Sequence, residues 1–110
     1  MTQKPTILVF SYGTFKDRAV QLEVFGTILP VVGNATLKNW KVFTDKEYPY
    51  VKPLKGDEVK GLILKMNKSQ LKIADQWEAV PTTYQREKLD IVLEDGSVKQ
   101  VYVFTGRNIV

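Results

Sequence analysis

The first sustained apolar run of the chain is TILVFSY, residues 6–12, rich in β-branched and aromatic side chains. It predicts a buried strand, and it stops at Gly13 in YGTF. From Asp17 the spacing changes. DRAVQLEVFG fits a helix capped by Asp17 and stopped by Gly26, with Ala19, Leu22 and Phe25 as its apolar side. ATLKNWKVFT alternates in part and predicts a strand, with Leu37 and residues 40–43 as its apolar content. KEYPYVKPLKGD carries two prolines and a glycine, and reads as an ordered loop with at most a short edge strand.

Strand character returns in EVKGLILKM through Val59, Leu62 and Leu64. NKSQLKIADQWEA then fits a helix, with Asn67 or Ser69 as N-cap and an end before Pro81. After a VPTT loop, YQREKLDIVLEDGSVKQVYVFT reads as a hairpin. Two β-rich runs flank Asp95–Gly96, a dipeptide that suits the positive φ angles of a tight turn. The order β-α-β-β-α-β-β, with hairpins in place of steady βαβ alternation, predicts an α+β fold around a mainly antiparallel sheet or small barrel. There is no repeat, low-complexity tract or linker, and 110 residues suit one domain, residues 1–110.

Composition narrows the chemistry by an absence. The chain has no histidine and no cysteine, which removes Ser–His–Asp and Cys–His nucleophilic sites and the usual zinc ligands. Acid–base chemistry near neutral pH then falls to a perturbed carboxylate, lysine or tyrosine, or to the terminal amine. No calcium-loop spacing occurs, and no metal is expected. The net charge of +4 comes from lysines scattered among acids, so no basic face is expected for nucleic acid. No apolar run approaches the length of a spanning helix, and MTQKPT leads straight into the first strand. The chain is therefore expected to be soluble and cytoplasmic, without membrane association.

Two constellations carry candidate chemistry. In YGTF, residues 12–15, a strand ending at glycine can turn sharply and present successive backbone N–H groups to an anion or carbonyl. The alternative is an ordinary strand-to-helix turn. The phosphate-loop and dinucleotide spacings are both missing. Reading back from DQWEAVPTTYQR, Leu71, Ala74 and Glu78 fall at i, i+3 and i+7, so a carboxylate lies on a stripe meant for burial. Such an acid loses hydration, its pKa rises, and it can move protons near pH 7. The alternatives are an exposed Glu78 at a frayed helix end, or one paired with Arg86. Tyr84 and Arg86, two apart, would share one face of a strand and could both approach it.

Taken together and in this order, the two constellations resemble the gamma-glutamylcyclotransferase-like superfamily, which includes the AIG2-like proteins and gamma-glutamylamine cyclotransferase. ILVFSYGTFKD is similar to its opening lfVYGTLr. LKIADQWEAVPTTYQREKLDIVLEDGSVKQVYVF is similar to its later block, a helix LDxxE followed by Y-x-R, a strand, a turn and an aromatic-rich strand. YPYVKP and DEVKGLILKM stand where the family has a proline loop and a V-x-G-x-l-y strand, so the similarity covers nearly the whole chain.

The resemblance implies a small, mainly antiparallel β-barrel with two flanking helices and a pocket at one side. It implies that Tyr12, Gly13, Thr14 and Phe15 bind the glutamyl part of a substrate through backbone groups. Glu78 would transfer the proton, Tyr84 would line the pocket, and Arg86 would support the strand or pair with an acid. The implied reaction releases 5-oxoproline from a gamma-glutamyl-amine or gamma-glutamyl-amino acid, the amine being favoured, with no cofactor. The implied partner is a small gamma-glutamyl molecule, and the implied assembly a monomer or homodimer. Departures from the pattern are Phe15 for leucine, Lys16 for arginine, Ala74 for the leucine before Asp75, and Ala79 at a site often glycine. They could reshape the pocket without removing the acid. The rival expectation is a non-catalytic small-molecule binding domain that keeps the pocket.

Overall fold

The structure is a computed structural model that describes residues 6–80 and 82–106. Strand β1, Ile7–Ser11, runs into a 3-10 turn at Thr14–Lys16 and then into helix α1, Arg18–Phe25. Strands β2, Val31–Phe43, and β3, Tyr50–Met66, form a long hairpin. Helix α2, Lys68–Trp77, precedes the hairpin of β4, Gln85–Leu93, and β5, Val98–Thr105. The strands close into a barrel in the order β1-β3-β2-β4-β5. Four seams are antiparallel, and the last joins β1 to β5 in parallel, with Val9 opposite Tyr102 and Phe10 opposite Val103. The fold is thus a mixed five-stranded barrel with two helices.

β1 reads as unbroken apolar sequence because both of its faces are covered. Phe10 joins Leu37, Val51, Ile63, Ile91 and Val103 in one core cluster, which fills the barrel. Val9 turns the other way and joins Leu64, Met66, Leu71, Ala74 and Phe104 between the barrel wall and the helices.

The helices lie where the spacing places them. Asp17 caps α1 by accepting from the Ala19 N–H at 2.8 Å, and Gly26 ends it at φ 72°. Asn67, not Ser69, caps α2, in a reciprocal box with Gln70. The buried face of α1 differs from expectation. Leu22 is more than half exposed and Ala19 is exposed, while Gln21 is buried with Val20, Val24 and Phe25 packed near it.

Two strands are longer than their sequence patterns. Residues 50–53 are strand rather than loop, paired with residues 40–43. β1 reaches only as far as Leu62 on the other side, so Pro53 sits where no ladder N–H is needed. The register breaks between Lys38 and Trp40, where Asn39 takes φ 67° and its side chain accepts from the Gly56 N–H. β2 also begins before Ala35, and a register shift between Val31 and Gly33 hides its alternation. In the last hairpin only Gly96 has positive φ, 86°, rather than both residues of the Asp95–Gly96 pair. Asp95 instead accepts from the Ser97 N–H.

Candidate active site

β1 ends at Ser11, and the chain reverses through Tyr12 and Gly13 into the 3-10 turn. The Lys16 and Asp17 N–H groups donate to the carbonyls of Gly13 and Thr14 at 3.0 and 3.1 Å. The first N–H groups of such a turn have no acceptor within it and face outward. Gly13 is required by space: a Cβ there would lie 2.9 Å from Cγ of Pro49. The Phe15 ring is buried, packed against Phe25 and Phe104 at 5.4 and 6.3 Å between centroids, so only its backbone can serve a ligand. The buried Gln21 fixes the turn from behind. Its Nε2 donates to the Phe15 carbonyl at 2.7 Å, and its Oε1 accepts from the Leu29 N–H at 2.7 Å.

The two tyrosine hydroxyls are both engaged by backbone. Tyr12 donates to the Phe104 carbonyl at 2.5 Å. Burial, then the nearby Tyr84 and Glu78, push its pKa far above that of a free tyrosine. Tyr84 donates to the Pro49 carbonyl, and burial followed by the Glu78 charge raises its pKa too. The Tyr48 ring lies 5.7 Å from that of Tyr84.

Glu78 is delivered by the end of α2. Leu71 and Ala74 are buried, and Glu78, one turn on, continues their stripe as the C-cap. Its N–H donates to the Ala74 carbonyl at 2.9 Å. Ala79 then takes the left-handed conformation, φ 53°, while the Ala79 and Val80 N–H groups close onto the Gln76 and Asp75 carbonyls. This is the Schellman pattern, which usually employs glycine at that place. Burial pushes the Glu78 carboxyl up to about 7.

Arg86, which could have approached Glu78, pairs with another acid instead. Its Nε lies 2.8 Å from Oδ1 of Asp75, an ion pair whose alignment falls short of a hydrogen bond. Its guanidinium also rests over the Tyr102 ring at 4.6 Å. Among the described residues no hydrogen bond or ion pair reaches the Glu78 carboxylate. Tyr84 and Arg86 do not both approach Glu78, because Tyr84 precedes β4 while Arg86 lies within it.

Tyr12, Gly13, Thr14, Phe15, Glu78 and Tyr84 all line one pocket. Ser11 and Pro49 line it as well, and sequence reasoning missed both. The closed part is narrow, about 20 Å³, the space of a single water. Pro49 belongs to the largely exposed β2–β3 connection. Among the described residues no group of three acidic side chains could hold a metal ion. No described helix is long and apolar enough to cross a membrane.

The family model for gamma-glutamyl cyclotransferase, AIG2-like proteins matches residues 9–109. The chain belongs to this family. Solved structures agree on the fold of this AIG2-like protein. One described as a gamma-glutamyl cyclotransferase superposes with a TM-score of 0.84 at 21% identity, over 94% of this chain and 68% of the other. An Arabidopsis thaliana protein solved in solution gives 0.82 at 27% identity, over 96% and 71%. An AIG2-like protein of Mus musculus gives 0.79 at 24% identity, over 96% and 80%. No curated protein sequence is significantly similar.

Proposed function

We propose that this AIG2-like protein is a gamma-glutamyl cyclotransferase in which Glu78 is the general acid and base. The substrate is a gamma-glutamyl-amine or gamma-glutamyl-amino acid, the amine being favoured. Its α-amino nitrogen attacks its own γ-carbonyl carbon. A new C–N bond closes a five-membered ring, and the amide C–N bond to the leaving amine breaks, giving 5-oxoproline. An ammonium has no lone pair to attack with, so Glu78 takes one proton from it and gives it to the departing nitrogen. The second proton, shed as the ring nitrogen becomes an amide, ends on the released amine as its ammonium. A carboxyl near neutrality can do both.

The backbone N–H groups of the Gly13–Phe15 turn bind the glutamyl part and polarise the carbonyl as negative charge gathers on its oxygen. Tyr84 shapes the wall. Because the nucleophile is tethered to the electrophile, much of the entropic cost is met in advance, and the sequence of steps requires no cofactor.

The observation that carries this reading is the carboxylate of Glu78, held in the pocket with Arg86 diverted to Asp75. A paired Glu78 would be a poor base. The test is 5-oxoproline release from a panel of gamma-glutamyl-amines and gamma-glutamyl dipeptides by wild type and Glu78→Gln. Release that vanishes in a folded Glu78→Gln supports the proposal. Binding of panel members by wild type with no release from any of them would make the protein a non-catalytic binding domain.

A further inference from the structure

Ser11 is the last residue of β1 and pairs with Leu62 of β3. Alternation along β1 sends Phe10 and Tyr12 toward the barrel interior, and Val9 and Ser11 to the face covered by the helices. That is the face from which Glu78 and Tyr84 enter the pocket. Ser11 is only 6% exposed and lines this pocket with them. Among the described residues its hydroxyl makes no hydrogen bond. A hydroxyl on a buried residue that opens onto a pocket and makes no internal bond is available to a ligand.

The neighbouring side chains cannot offer the same. The Tyr12 and Tyr84 hydroxyls already donate to the Phe104 and Pro49 carbonyls. Thr14 is exposed at the rim. We propose that Ser11 is a substrate-binding residue whose hydroxyl hydrogen-bonds the glutamyl head group, the part bearing the α-ammonium and carboxylate. The identity of that group rests on the cyclotransferase reading.

The buried end of the pocket explains why the head group, and not the leaving amine, meets Ser11. Phe10 and Phe104, beside Ser11 in the lining, are almost wholly buried, whereas Thr14 is exposed. A constant part suits the closed end, and a variable amine suits the open one. The Ser11 bond therefore contributes equally to every gamma-glutamyl substrate.

The test compares wild type, Ser11→Ala and Ser11→Thr in calorimetric titrations with gamma-glutamyl methylamide and gamma-glutamyl benzylamide. Release of 5-oxoproline from the same two amides is measured alongside. A hydrogen bond to a charged group predicts about ten- to hundredfold weaker binding by Ser11→Ala. The factor is the same for both amides, and Ser11→Thr recovers part of it. The melting temperature of Ser11→Ala does not fall, because it loses no internal bond. Unchanged affinity in Ser11→Ala, a loss that differs between the amides, or a loss that follows unfolding would overturn the assignment. Binding without release in wild type would sink the cyclotransferase reading while the Ser11 comparison still stands. Binding of neither amide would end both.

Discussion

Asp75 and Arg86 meet at 2.8 Å, and their pairing leaves Glu78 alone with the pocket. Asp75 lies one helical turn before the carboxylate on α2, and Arg86 lies on the neighbouring strand. Had the guanidinium reached one turn further, it would have held Glu78 ionised and occupied. Instead burial sets the Glu78 carboxyl near 7.

That burial makes stability depend on pH. The folded state holds the proton until about pH 7, while the unfolded chain releases it near 4.5. Below the lower value both states are protonated and nothing is lost. Stability falls as pH rises between the two, and the full cost stands above pH 7. Glu78→Gln removes that cost. The variant should be more stable than wild type at pH 8 by up to about 3 kcal/mol, with the difference vanishing near pH 4. Urea titrations across this range check it, and a constant difference would contradict the burial argument. In wild type kcat/KM for a gamma-glutamyl-amine should climb tenfold per pH unit and level off near 7.

Gly13 admits no side chain. Alanine there would set its Cβ 2.9 Å from Cγ of Pro49 and push the β2–β3 connection off the turn. Loss of binding should exceed loss of stability: at least about tenfold in kcat/KM, with a melting temperature lower by only a few degrees. Kinetics and calorimetry on one preparation distinguish the two.

Gln21→Leu keeps the bulk but leaves the Phe15 carbonyl and the Leu29 N–H buried without partners. The expected cost is about 2–4 kcal/mol, from two orphaned groups. Denaturant unfolding measures it, and a neutral outcome would mean that water reaches both groups.

Ala79→Gly should stabilise the protein by about 1 kcal/mol, since an L side chain is strained at φ 53° and glycine is not. A thermal melt reads the gain. Destabilisation would show that the Ala79 methyl packs more favourably than its backbone conformation costs.

Much of this was legible in the sequence, and the failures have causes. β1, both helices and the last hairpin follow from periodicity and caps, and the Leu71–Ala74–Glu78 stripe places the acid correctly at the end of α2. Residues 50–53 did not read as strand because Pro53 signals a break, yet the β1 ladder stops at Leu62 and no partner strand asks Pro53 for an N–H. Gln21 was hidden because a glutamine in a helix is ordinarily solvent-facing. The signal lay in its spacing, three and four residues before Val24 and Phe25, on the face they bury. Arg86 does pair with an acid, as the resemblance implied, but sequence spacing cannot tell which of two carboxylates one turn apart a strand residue will meet.

The parallel seam between β1 and β5 has a consequence in time. β1 is made first and β5 last, and the Tyr12 hydroxyl waits for a carbonyl 92 residues away. Tyr12 and Phe104, which both line the pocket, meet only when that strand docks, so the local hairpins assemble early and the pocket closes at the end. A nascent chain that has already formed α2 carries the acid before the pocket around it exists.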